Sequence, residues 1–257
     1  MSDLTSLANA SKAPWLDALD ARGRLIACLL FALSVICIHQ VSLLMWACGF
    51  SLCLLFASQL PAKQLLKRLL PFEGFILILT VFMPFSVSGG EATKVLGLLY
   101  ASEVGIERAQ QVFLRANAIL MCSLVLLATL LPETLGHAMA RLGIPHKLVH
   151  LFLMTVRYVS VLGQEYQRLR TAMRARAFTP GSNVHTWRSY GWLIGMLLVR
   201  SLERSERVLQ AMKCRGYQGR FVVMDEKRWA LMDTIFLSFV VSVCVLLLIA
   251  NYGEKML

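Results

Sequence analysis

Charge is scarce in this sequence. Asp, Glu, Lys and Arg make up 16% of its 257 residues, where soluble domains carry about one quarter. No GxxxxGK[ST] stretch occurs, so the chain has no phosphate-cradling loop and is not expected to hydrolyse ATP. A Ser-His-Asp elbow and an HExxH motif are missing as well. No CxxC spacing is present, and six of the seven cysteines (Cys28, Cys37, Cys48, Cys53, Cys122, Cys244) fall inside apolar runs. There they serve as small hydrophobes, and disulfides are not expected. The N-terminus, Met1-Ser2-Asp3-Leu4-Thr5, lacks a cationic stretch ahead of an apolar run, which argues against a cleaved signal peptide.

What is present is apolar. Hydrophobic residues reach 57% with a mean hydropathy of +0.63, too oily for a soluble domain of this length. Residues 1–23 are amphipathic and are expected at a membrane surface, with Trp15 as an interfacial anchor. From Leu25 to Leu60 only His39-Gln40 interrupts the run strongly, and its length suits two spans of about 20 residues joined by a tight turn. A third run covers 72–87 and carries Pro84, a potential kink. Residues 88–108 are mixed. A fourth run extends over 112–131, with Arg115 snorkelling or paired and Pro132 closing it. The fifth, 231–250, holds Asp233 near its start. The expected class is all-α: a polytopic membrane protein of about five transmembrane helices with a cytoplasmic helical domain. The expected division is 1–132 for the first four spans, 133–229 for the cytoplasmic insert and 230–257 for the last span.

Cations set the orientation. From Glu133 to Arg228 there are sixteen Lys and Arg against six Asp and Glu. Arg22 and Arg24, then Lys63, Lys67 and Arg68, then this insert alternate with poorly basic loops. The positive-inside rule therefore places the N-terminus and residues 133–229 in the cytoplasm and the C-terminus outside. A cationic segment localised in an oily chain points to a membrane rather than to nucleic acid.

Within the insert one phrase occurs twice. Ala172-Met173-Arg174-Ala175-Arg176-Ala177-Phe178 is echoed thirty-nine residues later by Ala211-Met212-Lys213-Cys214-Arg215-Gly216-Tyr217. Every position keeps its chemical type, and Arg168 aligns with Arg207. Each copy ends a predicted helix, with Thr179-Pro180-Gly181 after the first and Gly216 and Gly219 in or after the second. Leu148, Phe152, Thr155, Val159, Leu162, Tyr166, Leu169 and Met173 recur in steps of three and four, and the next step reaches Arg176. Ile194, Leu198, Ser201, Ser205, Val208 and Met212 lead in the same way to Arg215. Each stripe is read as a face that, buried against another helix or the membrane, positions its terminal Arg. Gly191-x-x-x-Gly195 allows a close helix approach, or marks a simple flexible point. Small residues beside each Arg leave its guanidinium sterically free.

The triplets Ala175-Arg176-Ala177 and Cys214-Arg215-Gly216 resemble the small-Arg-small motifs that end the two coupling helices of the transmembrane T component of energy-coupling factor (ECF) transporters. That family usually has Gly where Ala177 stands and Ala or another small residue where Cys214 stands. Asp20, Arg22 and Arg24 fit its Asp-Pro-Arg-x-Lys phrase with Ala replacing Pro. Met154-x-x-Arg157-Tyr158, Glu165 and the Arg200–Arg207 stretch are spaced as in cobalt- and nickel-type members such as CbiQ and NikQ, so the resemblance covers most of the chain. It implies that the six triplet residues bind ATPases and that Arg157, Glu165, Arg168, Met173, Arg207 and Met212 support them. The implied partners are two ATP-binding cassette subunits (CbiO-like), a substrate-binding membrane S component (CbiM-like), in some assemblies a small accessory membrane subunit, and the lipid bilayer. Cobalt or nickel would be held by the S component, so neither a metal nor a cofactor is expected in this chain. The implied location is a prokaryotic plasma membrane.

Two other readings stay open on the residues alone. A membrane enzyme acting on lipid phosphates would use the arginines as anion ligands, yet no paired acidic motif such as DxxxD stands near them to hold Mg²⁺. A scaffold with a lipid-binding basic insert would need only distributed charge. His146 and His150, four apart on a helix, lack the third ligand of a good metal site and read as interfacial histidines.

Overall fold

The computed structural model describes Leu16 and residues 19–86, 92–95, 99–217 and 230–253. Most of the expected surface segment, Trp15 included, lies outside the described residues, as do Gly219 and the last part of the insert. The Asp20 carboxylate accepts the backbone N–H of Arg22 and so caps the first helix, α1 (Ala21–Cys37). The break at His39-Gln40 separates it from α2 (Val41–Ala57), as expected. The third helix, α3 (Ala62–Ser86), starts ten residues before the apolar run and passes through Pro71 and Pro84. Its first turns are built from Gln, Leu, Lys and Arg, all good helix formers, so helix and apolar run do not share a boundary.

Among the described residues the chain is all-α apart from one short hairpin. In the mixed segment, β1 (Ala92–Val95) pairs antiparallel with β2 (Leu99–Ser102), Ala92 opposite Ser102. α4 (Glu103–Leu126) then begins and ends earlier than its apolar run. Pro132 does not close that helix. It opens the short helix α5 (Pro132–Arg141), where a missing N–H costs nothing. The remaining helices are α6 (His146–Ala175), α7 (Val184–Cys214) and α8 (Leu231–Gly253). Among the described residues, Val104–Leu126 and Leu231–Tyr252 are each long and apolar enough to cross a membrane, and Val41–Ala57 is a shorter apolar helix.

The chain divides into two compact units, Met1–Leu131 with Glu226–Leu257, and Pro132–Asp225. In the first unit, α1, α2, α4 and α8 enclose a core of Phe31, Val35, Leu44, Val240 and Leu247 interleaved with Ala27, Ala47, Ala118, Cys122 and Cys244. Small residues suit this place, because helices in lipid associate by close packing and not by hydrophobic expulsion. Phe50 of α2 joins Phe31 and Phe239 across the core, with ring centroids 5.7 and 6.0 Å apart.

Polar contacts fix the helix directions. Arg115 of α4 donates to the Ile38 carbonyl at the end of α1 (2.6 Å), and Arg24 at the start of α1 donates to Thr129 just after α4 (3.3 Å). Those two helices are therefore antiparallel, and Arg115 is paired, as a charge in lipid should be. Glu73 accepts from Asn117 (3.3 Å), and a Cβ placed on Gly105 would lie 2.8 Å from Cα of Pro84, so α3 and α4 are antiparallel too.

The last helix is tied to the first at both ends. Asp233, 1% exposed, accepts the N–H groups of Ala230 (2.8 Å) and Asp20 (2.7 Å). It thereby closes the N-terminus of α8 on that of α1. At the far end the Asn251 amide donates to the Cys37 carbonyl (3.3 Å) and accepts the His39 N–H (3.4 Å). With the tight α1–α2 link, the five helices alternate in direction. The start of α1, the end of α4 and the start of α8 share one end of the bundle.

Candidate functional site

The second unit is built around α6 and α7, and the repeated phrase is where each of them stops. Arg176 is the C-cap of α6 (φ −89°, ψ 23°) and Arg215 that of α7 (φ −91°, ψ 12°). One residue later the backbone turns left-handed, φ +60° at Ala177 and +80° at Gly216. The Ala177 N–H then reaches the Arg174 carbonyl (3.0 Å) and the Phe178 N–H that of Met173 (3.1 Å). In the second copy Gly216 bonds Lys213 (3.0 Å) and Tyr217 bonds Met212 (3.1 Å). Both ends are thus the same Schellman terminator, with Met and an aromatic residue at the two positions whose side chains usually clasp.

The heptad can now be read position by position. Met and the aromatic are half-buried in each copy, and the five residues between and before them are exposed, in the same order both times. The left-handed backbone favours glycine, a second reason beside clearance for Gly216, whereas Ala177 adopts it with a Cβ in place. Ala175 and Cys214 are the last helical residues and are exposed. Among the described residues neither the Arg176 nor the Arg215 guanidinium has a hydrogen-bond or ion-pair partner. Both are free for a ligand outside the chain.

Among the described residues, four ring and charge contacts join the two helices and their terminators. His150 stacks on Tyr217 (centroids 5.9 Å), the Arg204 guanidinium lies over Tyr158 (5.9 Å), Glu165 pairs with Arg200, and Phe178 meets Tyr190 edge-on (5.8 Å). As residue numbers rise on α6 they fall on α7, so the pair is antiparallel and Arg176 and Arg215 sit at its opposite ends. At 1.5 Å per residue that separates them by roughly 40 Å along the seam. Each terminal aromatic packs on the early turns of the opposite helix, which braces each end against its neighbour.

Of the expected supporting residues, Glu165 is central: it holds Arg200 and also Arg168, at 3.6 Å. Met173 and Met212 sit inside the terminators. Arg207 makes a 4.0 Å pair with Glu203 on its own helix, and Arg157 is exposed on α6 without an ion pair among the described residues. The bracing roles of Tyr158, Tyr190, Arg204 and the two terminal aromatics do not show in the sequence. For the terminal aromatics the available signal is the invariance of their type in the repeat.

Parts of both stripes do not face the other helix of the pair. Leu148 and Val159 are exposed, and so are Ile194 and Leu198. The inward face of α7 runs through Thr186, Tyr190, Leu193 and Leu197, one position earlier than the expected stripe, and rejoins it at Ser201, Val208 and Met212. Gly191 and Gly195 lie on the outer side, and among the described residues a Cβ added to either would meet nothing within 4 Å, so no close approach is made there. Between α6 and α7 lies a groove of about 900 Å³ lined by Met154, Leu162, Val208 and Met212, with Lys147 and Arg204 among its polar residues. His146 is exposed at the start of α6 while His150 is engaged with Tyr217. Among the described residues no three His, Cys, Asp or Glu side chains cluster closely enough to hold a metal.

Residues 12–226 match the protein family CbiQ, described as cobalt transport protein. Similar proteins include the energy-coupling factor transporter transmembrane protein EcfT of Streptococcus equi subsp. equi, 26% identical over 238 residues and covering 87% of each chain. EcfT of Listeria innocua is 27% identical over 238 residues, 87% of this chain and 89% of the relative. EcfT of Brevibacillus brevis is 28% identical over 215 residues, 80% and 81%.

Proposed function

The chain belongs to the CbiQ family of cobalt transport proteins, and from that premise we infer that it is the transmembrane coupling component of an energy-coupling factor importer. It links two ATP-binding cassette subunits to a substrate-binding S component in the membrane, for cobalt or nickel uptake. The names of the similar EcfT proteins support the assembly, and the family description supports the metal. The observation that carries the reading is the twice-built terminator with a free guanidinium at its cap.

A cation that leaves a helix C-terminus suits a carboxylate-lined groove, where charge-assisted hydrogen bonds contribute about 1.5–3 kcal/mol each. Two ends roughly 40 Å apart are too distant for one small site, so each takes its own ATPase. Closure of the ATPase pair on ATP then displaces both ends of a braced helix pair, and the S component follows. Hydrolysis belongs to the partners, since this chain has no phosphate loop. The Lys and Arg distribution places the N-terminus and residues 133–229 in the cytoplasm.

Arg176→Ala or Arg215→Ala alone should weaken ATPase retention about tenfold while leaving the fold intact, and the double variant should lose both ATPases, because linked contacts fail together. Lys at either position should rescue only in part, as an ammonium lacks the planar fork. The measurement is ATPase subunit recovered per membrane subunit, together with metal uptake. A double-alanine protein that holds both ATPases and transports normally would show the reading to be wrong.

A further inference from the structure

The second unit is joined to the bundle at two points of the chain, after α4 and before α8, and the phrase that opens α1 holds both. That unit begins at Pro132 and ends at Asp225. Thr129 stands three residues before it, and Ala230, whose N–H Asp233 accepts, five residues after it. The N–H of Asp20 reaches the same Asp233 carboxylate (2.7 Å). One helical turn on, the Arg24 guanidinium donates to the Thr129 hydroxyl (3.3 Å), which itself donates to the Val125 carbonyl (2.7 Å). Arg24 is 3% exposed and Thr129 5%, so water does not compete for the contact. Stability alone does not call for it, because a well-packed apolar pair would serve there as well or better.

We propose that Arg24 is a positioning residue for transport. Its bond to Thr129, with the Asp20–Asp233 closure beside it, clamps both attachment points of the second unit to α1, so that movement of α6 and α7 is delivered to the bundle and not lost in the connecting chain. The inference rests on the coupling role proposed above. Helices in lipid have no hydrophobic penalty for sliding along one another, and a directional, charge-assisted hydrogen bond supplies the register that apolar packing leaves soft. Little chain is left to flex beyond the clamp, since only Leu130 and Leu131 separate Thr129 from Pro132, where α5 begins. Within the second unit a Cβ on Gly136 would collide with Cδ2 of Leu153, so α5 is seated on α6 without a gap and moves with it. The spacing of Asp20 and Arg24, one turn, stacks the two anchors on one side of α1.

The test compares Thr129→Val, which keeps the shape of the side chain and removes its hydroxyl, with Thr129→Ser, which keeps the hydroxyl. In the full chain alone in nanodiscs, the valine variant should speed amide hydrogen exchange at Ala128 and Leu130 about fivefold, the scale of one net hydrogen bond, and leave Ala118 in the middle of α4 unchanged. In the complex with its ATPases and S component, reconstituted in proteoliposomes, the same variant should lower cobalt or nickel uptake per ATP hydrolysed by at least that factor. ATPase recovered per membrane subunit should stay at the wild-type level. Serine should restore both values. Arg24→Met should reproduce the loss, and the double variant should be no worse than Arg24→Met alone, because the two changes remove one contact. Unchanged exchange at Ala128 and Leu130 would show that there is no clamp. Faster exchange with unchanged uptake per ATP would reduce the contact to a matter of stability and overturn the proposal. A wild-type chain that holds no ATPase would overturn the coupling role itself, a result seen without any variant.

Discussion

The two terminators differ at one residue where the backbone is left-handed: Ala177 at φ +60° and Gly216 at φ +80°. A Cβ in that region costs about 1–2 kcal/mol, so the first end carries a strain that the second lacks. Gly216→Ala should therefore destabilise its end by about 1 kcal/mol and speed exchange of the Tyr217 amide proton, held by Met212, about fivefold. Ala177→Gly should slow exchange at Phe178, by less, because glycine adds freedom to the unfolded chain. Equal responses at the two ends would mean that the left-handed turns are not what fixes them. The heptad was legible as a repeat because the Met, the Arg cap, the residue after it and the aromatic hold the same places in both terminators. The left-handed turn after each Arg was not legible, since clearance alone accounts for a small residue there and Ala177 gives no glycine signal.

Among the elements, α1 and α8 show how a lone polar residue in an apolar run escapes notice. Asp233 reads in the sequence as an interruption, and only its place three residues after the Ala230 cap hints that it turns back on the helix start. What it actually joins, the N–H of Asp20, lies more than two hundred residues away and has no local signal. Asp233→Ala removes a buried acceptor from two N–H groups and should cost about 2–6 kcal/mol, at about 1–3 for each orphaned group. Thermal unfolding in detergent should show the loss, with Asn recovering part of it through its single carbonyl oxygen. An unchanged midpoint for Asp233→Ala would remove the staple from the account. On α7 the reading failed for a different cause. Apolar residues occupy opposite sides of that helix, so periodicity alone does not tell the side facing α6 from the side facing outward.

For the whole molecule, the alternating directions of α1, α2, α3, α4 and α8 put His39 and Asn251 at one end of the bundle, and Ala230 and Leu131 at the other. On the proposed orientation, with the basic stretches inside, an impermeant thiol reagent applied to intact cells should label His39→Cys but not Ala230→Cys in a cysteine-free chain. The reverse pattern would invert the protein and exclude ATPases from its second unit. The antiparallel seam of that unit has one more consequence. A helix pair whose working points lie at its two extremities is a gauge, and its setting is counted in residues. Four residues inserted late in α7 would advance Arg215 by about 6 Å and swing it by about 40°, leaving Arg176 where it was. Substitutions along the exposed flanks leave that span unchanged, so an insertion or deletion between the two terminators should be tolerated far less well than a change of side chain.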